Sequence, residues 1–237
     1  MTQPTDIRGA FTATGLIRPL RVLDLFCCQG GAARGYADAG WDVTGVDKDP
    51  QPRYPYRFIQ ASPPCQLDTE CQRIRGNSHP DLIAPTRTAL ESTGRPWVIE
   101  NVRGALPKLR EPVMLCGQMF ALDNYRHRYF ETGSGLTLHQ PRHPVHRVPQ
   151  AKSGTQFGLD VRRHRVFETS WGGGGDLVPP CWHRKGLLAF THKGERAYAD
   201  AMGCTWMTSL EARKAVPPAY TRWIARQYLT HEGRTAA

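Results

Sequence analysis

The chain has 237 residues, a length that fits one ordinary domain with a small appendage, and its formal net charge of +10 favours a polyanionic partner, nucleic acid first. No apolar run approaches a membrane span and no signal-peptide apolar core opens the chain, so no membrane partner and a cytoplasmic location are expected. The seven cysteines form no zinc ribbon and are expected to stay reduced.

Residues 1–19 carry no periodic pattern and read as a loose lead-in. Residues 21–26 are an apolar run interrupted by Asp24, the pattern of a buried parallel strand. A turn follows through Cys27, Cys28, Gln29, Gly30 and Gly31. Residues 32–39 predict a short helix ended by Gly40, and residues 41–47 a second strand closing on Asp47. Such a βαβ start sets a glycine turn and a helix N-terminus beside a nucleotide-like ligand, with the acidic residue placed for ribose hydroxyls. The dinucleotide fingerprint G-x-G-x-x-G fits poorly, because Cys28 occupies its second small position.

Residues 58–61 predict a third short strand that runs directly into Ser62-Pro63-Pro64-Cys65-Gln66. The prolines lock φ and remove two backbone donors, so the strand stops and Cys65 arrives on a rigid turn. Residues 67–80 are polar, carry Arg73 and Arg75, and suit a mobile loop closing over a ligand. A helix over 81–93, a strand over 96–100 ending in Glu100, and a loop over 104–112 come next. A thiol and a carboxyl at two strand ends are the parts of nucleophilic and acid/base chemistry.

An internal repeat follows, residues 120–132 against 157–169, each containing Arg-His-Arg-x-Phe-Glu-Thr. Each copy predicts a strand with two arginines on one face, Arg126 and Arg128 in the first and Arg163 and Arg165 in the second. Paired guanidiniums suit a phosphate, a carboxylate or a base oxygen. Residues 133–195 are irregular, basic and rich in Gly, Pro and His. His139, His143, His146, Cys181 and His183 sketch a zinc set, but their spacings match no familiar pattern and no metal is expected. The end is helical: one helix over 196–202, a second opened by a Thr208–Glu211 capping box, and a last one from Pro217 or Pro218 with Tyr220, Trp223, Ile224 and Tyr228 on its apolar face.

The glycine turn at 26–31, Ser-Pro-Pro-Cys-Gln at 62–66, Glu100-Asn101-Val102, Arg-x-Arg and Ala215-Val216-Pro217 resemble, in this order, the motifs of DNA cytosine-5 methyltransferases, most closely the short phage-type members. The resemblance covers most of residues 20–230. It implies a Rossmann-like class I methyltransferase sheet, an α/β fold with helices on both faces. The catalytic domain would span 1–132 and 196–237, with a small target-recognition insert over 133–195. It also implies S-adenosylmethionine as cofactor, DNA as partner, a monomer, a flipped cytosine, and a phage-encoded enzyme in the cytosol of a bacterial host. Cys65 would be the nucleophile on C6 and Glu100 the acid at N3, with Arg126 and Arg128, or Arg163 and Arg165, orienting the base. Asp24, Phe26, Cys28, Gly30, Gly31, Asp47, Pro64, Lys214, Ala215 and Val216 would line the cofactor. Ser62, Gln66, Asn101, Arg73 and Arg75 would meet the substrate.

Three positions depart from that pattern. Cys28 stands where the family has glycine. The strand and helix that would supply an acidic contact to the adenine have no counterpart before Ser62. Lys214 replaces an asparagine beside the sulfonium end of the cofactor, where a cation would suit carboxy-S-adenosylmethionine and a 5-carboxymethylcytosine product. An RNA substrate and a catalytically inert nucleic-acid-binding relic remain open as further readings. Retention of Cys65, Glu100 and Arg-x-Arg argues against the relic.

Overall fold

The computed structural model describes residues 11–12, 15–16, 19–47, 56–68, 79–122, 124–145, 197–212 and 214–233. Within the lead-in expected to be loose, two short strands, β1 (Phe11–Thr12) and β2 (Gly15–Leu16), pair antiparallel. The main sheet contains β3 (Arg21–Leu25), β4 (Asp42–Val46), β5 (Phe58–Ala61), β6 (Trp97–Asn101), β7 (Val113–Leu115) and β8 (Arg128–Gly133). Their order is β4-β3-β5-β6-β8-β7. The first four are mutually parallel, and β8 runs antiparallel to both β6 and β7. No strand lies between β4 and β5 along the chain among the described residues, and β5 pairs directly with β3. Among the described residues the sheet thus holds no counterpart of the strand that the family resemblance would place between β4 and β5 along the chain.

Alternation along the strands builds two layers of core. Val22, Phe58, Val98 and Phe130 point to one face, where they meet Tyr36, Trp41, Tyr220, Ile224 and Tyr228. Leu23, Leu25, Ile59, Ala61, Trp97 and Ile99 point to the other, against Ile83, Leu90, Ala105 and Leu109. The first face is covered by α1 (Gly31–Asp38) and the C-terminal helix α5 (Pro218–His231). The second is covered by α2 (Ile83–Ser92) and a 3₁₀ helix, Arg103–Lys108, that occupies the stretch expected to be a loop. Helices therefore lie on both faces.

Helices α1 and α5 approach backbone to backbone because Gly31 and Gly35 present no side chain. A Cβ on Gly31 would sit 2.6 Å from the Val216 carbonyl oxygen, and one on Gly35 would collide with Thr221 Oγ1 and the Pro218 carbonyl. Thr221 Oγ1 donates to the Ala32 carbonyl at 2.8 Å across this contact. Two shorter helices, α3 (Ala197–Ala201) and α4 (Ser209–Ala212), pack with Cys116 and Tyr125 in a third cluster. The capping box forms as read: Glu211 accepts from Thr208 N at 2.8 Å, and Glu211 N donates to Thr208 Oγ1 at 3.3 Å. Across the sheet, buried Arg87 of α2 meets Glu131 of β8, with Nη2 2.7 Å from Oε2.

Candidate active site

The same alternation that builds the core aligns a polar row on the face under α1 and α5. Asp24 lies two residues beyond Val22, Gln60 two beyond Phe58, Glu100 two beyond Val98, and Arg128 two before Phe130. Asp24, Gln60 and Glu100 are buried, and Arg128 is half-buried. Glu100 Oε1 meets Arg128 Nε at 2.9 Å. Tyr36 Oη donates to Gln60 Oε1 at 2.9 Å, and Gln60 Nε2 donates to Ser62 Oγ at 3.2 Å.

Cys65 enters this site from the turn after β5. Ser62 N is held by the Leu25 carbonyl at 3.2 Å, and Asn101 Nδ2 donates to the Pro63 carbonyl at 3.1 Å. Asn101 Oδ1 accepts from Val102 N at 2.9 Å, so one side chain fixes both the proline turn and the exit from β6. Beyond Cys65 the chain forms a 3₁₀ turn, Gln66–Asp68, with Asp68 N bonded to the Cys65 carbonyl at 2.9 Å. Lys108 Nζ clamps that turn, 2.7 Å from Asp68 Oδ1 and 3.0 Å from Asp81 Oδ2. Gln66 itself is exposed and Pro64 half-buried.

Cys65, Glu100, Arg126 and Arg128 are brought within electrostatic reach of one another. Burial pushes the Cys65 thiol up, Arg128 pulls it back, Glu100 raises it, and Arg126 lowers it again. The thiol is protonated at rest, and its ionisation responds to the charges beside it. Arg126 does not share a strand with Arg128. It precedes β8, has φ of 26°, and is 1% exposed. Its Nη2 donates to the Ala215 carbonyl at 2.8 Å, while its own carbonyl accepts from Tyr220 Oη at 2.7 Å. The expectation of two arginines projecting from one strand face therefore gives way to one arginine on the sheet and one tied to the C-terminal segment. Arg163 and Arg165 of the second repeat copy, and Arg73 and Arg75, lie outside the described residues.

The glycine turn joins β3 to α1 through three residues of positive φ: Phe26 (60°), Cys28 (45°) and Gly30 (75°). Cys28 thus adopts a conformation that favours glycine. Gly30 N closes the turn on the Cys27 carbonyl at 2.8 Å. Asp47 is exposed just beyond β4, close enough to Cys27 to help raise that thiol to about 11, behind the larger contributions of burial and Asp24. Ala215 and Val216 are buried against Gly31, and Lys214 beside them is exposed. Asp24 is wholly buried, and neither carboxylate oxygen has a hydrogen-bond partner. Burial raises its pKa to about 7, against the pull of the nearby Ala33 backbone N–H, with Glu100 adding to the rise.

Trp206 had no place in the sequence reading. It is 43% exposed, its Nε1 donates to the Gln29 carbonyl at 3.2 Å, and Arg34 lies over its ring at 5.3 Å. With Gly30, Val43 and Gly45 it borders a shallow concavity of about 320 Å³ at the glycine turn. The residue joins the turn only through tertiary contact, since Gln29 is 177 positions away in sequence. No helix among the described residues is long and apolar enough to cross a membrane.

No protein-family model matches the chain, and no curated protein matches it in sequence. Solved structures do. A protein described as a DNA modification methyltransferase encoded within an E. coli prophage superposes with a TM-score of 0.52 at 16% identity, covering 91% of this chain and 100% of that one. Entamoeba histolytica methyltransferase EhMeth gives 0.47 at 12% identity, over 90% of this chain and 99% of its own. S. pombe Dnmt2 methyltransferase gives 0.43 at 13%, over 89% and 98%. The first of these shows the fold: a Rossmann-like α/β methyltransferase sheet, as the sequence motifs implied.

Proposed function

We propose that the protein is a DNA cytosine C5 methyltransferase using S-adenosylmethionine. The observation that carries this reading is the meeting of Cys65, Glu100, Arg126 and Arg128 from three separate segments, on a fold shared with a DNA modification methyltransferase. Cytosine C5 is a poor nucleophile until C6 is attacked, and that attack needs a thiol, an acid for N3 and donors for the base oxygen.

The glycine turn fits a nucleoside-bearing methyl donor. A Cβ at Gly30 would meet only Ala33 Cβ at 3.8 Å, so its surface is open, and Asp47 stands exposed at the neighbouring strand end for ribose hydroxyls. Phe26 would flank the adenine, and Asp24, Cys28, Gly31, Pro64, Ala215 and Val216 would shape the pocket from behind. When bound, S-adenosylmethionine supplies an electrophilic methyl group and departs as S-adenosylhomocysteine.

On a cytosine flipped out of the duplex, Cys65 gives its proton to the Glu100 carboxylate and Sγ bonds to C6. Glu100 passes that proton to N3, so C5 becomes an enamine carbon able to take the methyl. Arg128 holds Glu100 in place, and Arg126 and Arg128 orient the base. Solvent water then takes the C5 proton, the Sγ–C6 bond breaks to return the thiolate, and N3 gives its proton back to Glu100. Asn101 and Ser62 keep the proline turn in register, Gln66 borders the substrate, and Arg73 and Arg75 are proposed to meet it. Residues 133–195 are proposed as the target-recognition insert.

The test is expression in bacteria, digestion of their DNA to nucleosides, and mass analysis, alongside trapping of purified protein on 5-fluorocytosine DNA. 5-Methylcytosine and a covalent adduct lost in Cys65→Ser are expected. Unmodified DNA with no adduct would favour the inert relic. Modified cellular RNA with unmodified DNA would favour the RNA reading.

Lys214 keeps a second product in view. It is exposed and directly precedes the Ala215–Val216 pair that packs on the glycine turn. If it meets the carboxylate of carboxy-S-adenosylmethionine, the same digest yields 5-carboxymethylcytosine and Lys214→Asn reverts it to 5-methylcytosine. An unchanged product in that variant leaves Lys214 without a role in cofactor choice.

A further inference from the structure

A cluster outside the catalytic site brings together three donors that the sequence keeps far apart. Cys116 follows the last residue of β7 and His127 precedes the first residue of β8. Leu115 pairs with Arg128 in the antiparallel register, so Cys116 and His127 are the next facing pair beyond the ladder. His143 arrives from the segment that follows β8, which is tied to the same sheet edge where Met114 N donates to Gln140 Oε1 at 3.2 Å. The Cys116 sulfur and one nitrogen from each imidazole all lie within 4.8 Å of one another. Cys116 is fully buried and both histidines are half-buried.

The two imidazoles face each other Nε2 to Nε2 at 3.4 Å. Two nitrogens bound to one tetrahedral zinc at about 2.0–2.1 Å each are separated by about 3.4 Å. A thiolate and two neutral imidazoles form a borderline-soft donor set that suits zinc over magnesium or calcium.

We propose that Cys116, His127 and His143 bind a structural zinc ion, with water or a further protein donor in the fourth position. On binding, Cys116 releases its thiol proton to solvent and both histidines coordinate as neutral rings. The ion clips the end of the β7–β8 ladder to the segment that leads into residues 146–196. It also anchors the backbone at His127, between Arg126 and Arg128, whose placement the catalytic proposal needs. Zinc binding itself does not rest on that proposal. The zinc set sketched from sequence included His143 but neither Cys116 nor His127, because their joining depends on strand pairing.

The test is metal analysis of the full chain purified from zinc-supplemented medium. About one zinc per chain is expected, removable by a strong chelator with a fall in Tm and restored by added Zn²⁺. Titration of the stripped protein with Co²⁺ should give an intense thiolate-to-cobalt charge-transfer band. His143→Gln and Cys116→Ser should each lose the bound zinc, whereas His139→Gln, at an exposed position outside the cluster, should keep it. Folding of the variants is followed by far-ultraviolet circular dichroism. Wild-type protein that carries no zinc and gives no cobalt band would overturn the proposal even if the variants fail to fold. Full zinc retention in folded His143→Gln and Cys116→Ser would place any ion elsewhere and overturn it too.

Discussion

At Cys65 the reactivity of one sulfur depends on opposing neighbours. Burial holds the thiol protonated, Arg128 and Arg126 favour the thiolate, and Glu100 opposes it. Alkylation of Cys65, followed by mass spectrometry across alkaline pH, should therefore rise with pH. Glu100→Gln should shift that profile to lower pH, and Arg128→Gln to higher pH. Shifts in the reverse directions would contradict the electrostatic arrangement. Cys28 gives a second prediction at this scale. Its φ of 45° disfavours any residue with a Cβ, so Cys28→Gly should stabilise the chain to denaturant by about 0.5–1 kcal/mol, after glycine's greater chain entropy is offset. A loss of stability would mean that the Cys28 side chain contributes more than the turn strain costs. These residues were readable from motif position, but their couplings were not. Nothing in the order of residues reveals that Arg126 reaches the Ala215 carbonyl, since 89 positions separate them.

Among elements, the strands were the most legible part of the chain. β3, β5 and β6 are apolar runs bounded by turns, and their alternation decides which side chains enter each layer. The 3₁₀ helix at Arg103–Lys108 escaped the sequence reading because Gly104 and Pro107 mark breaks in regular structure. It is held instead by tertiary bonds: Lys108 reaches Asp68 and Asp81, and Gly104 lets the Asp68 carbonyl approach. The coupling of α2 to β8 carries a prediction of its own. Arg87 Nη2 contacts both Glu131 and the Lys108 carbonyl, and Arg110 N donates to Glu131 Oε2 at 3.0 Å. Glu131→Gln leaves a buried guanidinium without its counter-charge, a change that costs about 3–5 kcal/mol. Denaturant unfolding measures this, and a loss below about 1 kcal/mol would mean that water reaches Arg87.

For the whole molecule, the net charge of +10 bears on partner binding rather than on fold. If DNA is the partner, the logarithm of its affinity should fall linearly with the logarithm of salt concentration, with a slope of roughly −0.9 per phosphate neutralised. Filter binding or fluorescence anisotropy across salt concentrations gives that slope. A flat response would argue against backbone contacts as the source of affinity.

The sequence by itself determined the strand cores, the glycine turn, the proline turn that delivers Cys65 and the capping box at Thr208. Each is a local property, set by hydrophobic period, by the φ limits of glycine and proline, or by side-chain bonds within one turn. Only the tertiary structure decided that β5 pairs directly with β3. It alone joined Trp206 to the glycine turn, tied Arg126 to the C-terminal segment, and set Cys116 and His127 opposite each other beside His143. Those arrangements depend on register and on contacts between distant segments, which the order of residues along the chain does not encode locally.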